Sequence, residues 1–154
     1  MTEKIEKIRN LRLFLLRQLE GLATEQLTKI PAGFNNNIVW NLGHLICAEQ
    51  SLCYGRAGQP LVVPDEYFSP YLPTTKPTRA LNDAEITTLK ELFISTIDQL
   101  AVDAAAGLFS RYTSSTMLQQ VYGVSVDNLG DALSFLLYHE GLHAGYILAL
   151  KHVV

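Results

Sequence analysis

His139 and His143 stand four residues apart with Glu140 between them, in the run Tyr138-His139-Glu140-Gly141-Leu142-His143. On an α-helix, side chains at i and i+4 lie one above the other, so two imidazoles at this spacing can share one divalent metal. His-Glu-x-x-His is also the zinc signature of a metalloprotease, in which the glutamate acts as general base. The extended signature, which adds a Gly and a further His, fails at Tyr146, and no Asp or Glu follows Glu140. The other histidines are His44 and His152, and His152 is expected to be solvated. A third protein ligand therefore has to come from upstream, which argues against the usual protease arrangement.

The apolar stripe Ala132, Phe135, Leu136, His139, His143, Ile147 and Leu150 places both imidazoles toward a core. A polar ring facing a core needs a hydrogen-bond partner or a metal. Glu140 projects about 100° further round the helix. It has two readings: a solvated or supporting carboxylate, or a general base toward a water activated by the metal. His44 shares a half-polar helix face with Asn37, Trp40, Asn41, Cys47, Ala48 and Ser51, as the rim of a pocket would. Cys47 reads as a buried thiol or an extra ligand, Trp40 and Tyr146 as core aromatics or flanks of the site, and Gly141 and Gly145 as packing positions.

Four helices are expected to carry these residues. The first spans about 3–22, with Ile5, Ile8, Leu11, Leu15, Leu19 and Leu22 at three- and four-residue intervals, and Thr24–Leu27 adds a short turn. The second starts at Asn36 or Asn37 as cap and runs to Gly55 or Gly58. Five prolines between 59 and 82 forbid a regular element there and predict a crossover that also covers the site, anchored by Tyr67, Phe68 and Tyr71. The third starts at an Asn82–Glu85 capping box and ends near Ala105; 107–125 reads as a polar connection, and the fourth spans about 126–152. No set of alternating strands is present. The expected fold is all-α, one domain over 1–154, a bundle of four helices roughly 30 to 40 Å long.

A net charge of −3 with no basic stripe gives no electrostatic reason to expect a nucleic-acid partner. No segment has the roughly 18 consecutive apolar residues of a membrane span, and 1–10 lacks the apolar core of a secretion signal. Cys47 and Cys53 lie six apart on one helix, about 9 Å along its axis, beyond disulfide reach. Reduced thiols in the cytoplasm are the expectation. A homodimer through an exposed helix face is compatible with all of this.

Three features together carry a resemblance over nearly the whole chain: the Asn-rich entry to the second helix, the Trp40-x-x-Gly43-His44 segment, and His139-x-x-x-His143-x-Gly145. In that order and separation the chain resembles the DinB-like (DinB/YfiT-like) superfamily of bacterial metalloenzymes. The resemblance implies an up-down-down-up four-helix bundle with one divalent metal, nickel or zinc, held by His44, His139 and His143. It further implies thiol-dependent transfer to small electrophiles, or isomerisation, with low-molecular-weight thiols such as bacillithiol or mycothiol. Arg56 and Arg111 read as surface arginines or as binders of a carboxylate of such a thiol. Members often carry Gln shortly after the last Gly, where this chain has Tyr146. Three neutral imidazoles leave a coordination position open, the arrangement of catalytic rather than structural zinc. The alternatives are a metal-dependent hydrolase with Glu140 as base, and a non-catalytic module that binds a metal or small molecule.

Overall fold

The computed structural model describes residues 1–154 and is helical throughout, without a strand. Helix α1 (Thr2–Gln18) buries Ile5, Ile8, Arg12 and Leu15, the three- and four-residue spacing that puts one face inward. It stops short of the expected Leu22 because Gly21 takes φ +80° and reverses the chain into the short α2 (Thr24–Thr28). Helix α3 (Ile38–Glu49) starts where Asn37 Oδ1 accepts from Trp40 N–H at 2.8 Å. All but one residue of α3 is buried, so it is the innermost element. Its last turn widens into a π-helical stretch, Gln50–Gly55.

The crossover runs through two 3₁₀ turns, Asp65–Tyr67 and Ser69–Tyr71, and of the three expected anchors only Tyr71 is fully buried. Helix α4 (Asp83–Ala105) opens with both arms of the expected capping box: Glu85 N–H donates to Asn82 Oδ1 at 3.0 Å and Asn82 N–H donates to Glu85 Oε2 at 2.8 Å. The supposed polar connection contains a helix, α5 (Thr116–Tyr122), capped by Ser115 and closed by Gly123 at φ +67°. Leu118 is its buried anchor. Helix α6 (Leu129–Lys151), capped by Asn128, begins three residues later than expected. No helix is long and apolar enough to cross a membrane.

Helices α1 and α3 each pack against both α4 and α6, so α1 and α3 occupy one diagonal of the bundle and α4 and α6 the other. The core falls into two apolar clusters. One holds Leu15, Leu42, Phe93 and Ile147; the other holds Ile8, Leu52, Ile97 and Leu136. Between them along their helices lie Arg12, Glu49, Thr96 and Glu140, and all three charged groups are fully buried. The Arg12 guanidinium donates from Nε and Nη2 to Glu140 Oε1 at 2.8 and 2.6 Å, and from Nη1 to Glu49 Oε2 at 2.8 Å. Thr96 Oγ1 also donates to Glu49 Oε2. The solvated reading of Glu140 is thereby corrected: its place on the helix turns it into the interior against α1.

Candidate metal centre

Helix α3 brings His44 against His139 and His143 of α6. Their rings lie 5.2 and 4.9 Å from that of His44, and 4.5 Å from each other. One nitrogen from each can be chosen so that all three lie within 4.8 Å of one another. Nitrogens on a tetrahedral zinc sit about 3.3 Å apart for bonds of about 2.05 Å. Modest ring rotations close that gap, so the three histidines could hold one metal ion.

The surroundings fix which nitrogens are free. His44 Nδ1 lies 2.7 Å from the Tyr71 carbonyl, which only accepts, so Nδ1 carries the proton and Nε2 keeps its lone pair. Asn41 Nδ2 donates to the Asn37 carbonyl at 2.7 Å and to Asn36 Oδ1 at 3.1 Å, which orients the amide. Its Oδ1 then faces His143 Nδ1 at 2.8 Å and accepts that proton, leaving His143 Nε2 free as well. His139 Nδ1 is buried with no hydrogen-bond partner. Such an orphan costs about 1–3 kcal/mol unless something absent from the protein alone satisfies it. Two tautomers fixed by acceptors and one unsatisfied imidazole fit a divalent cation.

Burial holds all three rings in the neutral form that ligates. His139 is pushed down to about 3 by desolvation, with His143, His44 and Arg12 adding to it, and His143 to about 4 by desolvation and then His44. Desolvation also lowers His44, against the bond to Tyr71.

Gly43 has a role the sequence reading did not assign. A Cβ there would sit 2.4 Å from the Tyr71 ring, so only glycine lets the crossover seat its tyrosine and present the carbonyl to His44. Gly141 and Gly145, read as packing positions, are exposed and nothing lies within 4 Å of an added Cβ. The close approach belongs to α3 instead. Trp40 stacks on His44 at 4.9 Å with planes 9° apart, and its Nε1 donates to the Pro70 carbonyl at 3.3 Å. Phe135 covers His139 from the other side at 5.8 Å. Tyr146 packs edge-on against Phe34 as part of the core. Cys47 is a buried thiol pushed up to about 11 by burial, and it stays outside the three-nitrogen set. His152 is exposed beyond the end of α6.

Asn41 orients a ligand without being one. Asn41→Leu removes the acceptor for His143 Nδ1 and is expected to weaken zinc binding 10- to 100-fold in a chelator competition. Asn41→Asp keeps an acceptor there and is expected to retain the affinity. Equal weakening by both would show that only the local fold had been disturbed.

The family model described as the DinB superfamily matches residues 9–147 of the 154. No curated protein and no solved structure matches the chain.

Proposed function

The chain belongs to the DinB superfamily, and on that premise we propose that it is a metal-dependent enzyme transferring a small-molecule thiol to a small electrophile. The carrying observation is the set of three neutral imidazoles facing one another beside an apolar cavity, two of them with Nε2 left free. His44, His139 and His143 would hold one zinc or nickel ion. When bound, such a cation supplies the Lewis acidity that keeps a coordinating thiol deprotonated at neutral pH.

The chain's own groups do the rest. Tyr71 and Asn41 hold two rings in the ligating tautomer, while Trp40 and Phe135 wall the site against water. In the transfer, the sulfur electron pair forms a C–S bond as the bond to the leaving group breaks. The leaving group departs with that bonding pair, and the thiol proton goes to solvent. Glu140 acts as a base in neither step: its carboxylate is sealed in the core on Arg12. A thiol-rich compartment such as the cytoplasm suits this chemistry and agrees with Cys47 and Cys53 both being free.

The test uses untagged protein loaded with zinc or nickel and a panel of bacillithiol, mycothiol and glutathione. Each is paired with 1-chloro-2,4-dinitrobenzene, and the thioether is followed by absorbance. At least one thiol is expected to react about 100-fold faster than with metal-depleted protein, a barrier change of about 2.7 kcal/mol. Equal rates with and without metal overturn the proposal.

A further inference from the structure

A cavity of about 550 Å³, within the size range of small-molecule sites, opens beside the histidines and is lined by both His44 and Arg56. These residues are twelve apart (56 − 44) on nearly one continuous helix, about 18 Å of axis, so they mark its two ends. Between them the wall is apolar, with Leu52 from α3's extension, Met117, Leu118 and Val121 from α5, and Phe135 from α6. No Asp or Glu lines it. Thr74, also in the wall, holds φ +75°, a strained backbone for a β-branched residue and of the kind found at ligand clamps.

Arg56 is the only charged side chain in that lining. Arg9, Arg12 and Arg79 each hold a carboxylate; Arg56 holds none. Its Nη1 donates to the Ser114 carbonyl at 3.3 Å, while its own carbonyl accepts from Thr113 N–H at 2.7 Å. The segment before α5 is thus pinned to it, and the guanidinium is held at the cavity with most of its donors unspent. Arg111, the other arginine considered for a carboxylate, is exposed and does not wall the cavity.

We infer that this cavity takes an amphipathic monocarboxylate, its carboxylate on Arg56, its apolar chain along α5 and its reactive end at His44 and His139. A lone planar guanidinium matches the fork of a carboxylate, whereas a dianionic phosphate would call for a second cationic side chain, and none lines the wall; the one helix start there, that of the seven-residue α5, already gives its Leu118 N–H to the Ser115 cap. The roughly 18 Å of axis between His44 and Arg56 sets the upper limit on the length of the ligand. The assignment of the reactive end rests on the proposed function; the Arg56 contact does not depend on a metal.

The test is calorimetric titration of zinc-loaded and metal-depleted protein with 8-mercaptooctanoate, its uncharged amide, octanoate and octanamide. Wild type is expected to bind each acid at least about tenfold tighter than its amide in both metal states. Arg56→Gln is expected to abolish that preference and Arg56→Lys to keep part of it, with thermal unfolding confirming that both variants are folded. Equal binding of acid and amide by wild type, or a preference that survives in Arg56→Gln, overturns the inference. A preserved acid preference with no gain from the thiol in zinc-loaded protein supports the Arg56 contact and counts against the proposed function instead.

Discussion

Arg12→Met is expected to destabilise the fold by about 3–5 kcal/mol, read as a lower urea midpoint with an unchanged slope. Arg12 answers two carboxylates at once, and all three side chains are fully buried. Removing the guanidinium leaves Glu49 and Glu140 facing each other in the interior with no cation. Burial already pushes the Glu140 carboxyl above its ordinary range, more than Arg12 pulls it down, and Glu140 Oε2 has no hydrogen-bond partner. Arg12 also donates to the Leu45 and Phe93 carbonyls, at 3.3 and 3.1 Å, so one side chain ties α1 to α3, α4 and α6. The second half of the experiment replaces the whole cluster. Arg12→Met with Glu49→Met and Glu140→Leu removes every buried charge together and is expected to recover most of the loss. Should the single variant unfold at the wild-type midpoint, the cluster contributes nothing to stability and the two apolar clusters suffice.

His139→Ala is expected to lower zinc affinity by more than 100-fold, beyond the 10- to 100-fold attached to a supporting residue such as Asn41. Purified without a polyhistidine tag and dialysed, wild type should retain about one metal per chain by elemental analysis and the variant close to none. Thermal unfolding gives a second reading. Zinc at 100 times its dissociation constant should stabilise wild type by about 2.7 kcal/mol and leave the variant unchanged. His152→Ala serves as control, since that ring is exposed and remote from the cluster. Equal metal content in the His139 and His152 variants would remove the metal from the account of this protein.

The residues that meet at the centre were legible because they obey helix periodicity. His139 and His143 share a stripe with Phe135 and Ile147, and His44 lies on the polar face that Asn37 and Asn41 also occupy. Helix starts were equally readable where a cap was spelled out, as at Asn37 and Asn82. The rest depended on contacts between distant segments. Nothing local to Glu140 distinguishes a solvated carboxylate from one sealed against Arg12, because its partner is 128 residues away. The value of Gly43 appears only once Tyr71 is laid across it. Helix α5 was missed because seven residues are too few to establish a period, although Ser115 and Gly123 stand at its two ends as ordinary start and stop signals.

The seating of Tyr71 over Gly43 also decides where this protein can be re-engineered. The proline-rich crossover looks like a spacer, yet its main chain supplies the acceptor that sets one ring's tautomer. Shortening it, grafting a new segment into it, or cutting the chain there to make a circular permutant would unseat that acceptor and misorient the centre at a distance. The turn over Ala105 to Gly107, exposed and remote from the imidazoles in the chain, is the place to splice in a tag or a second domain.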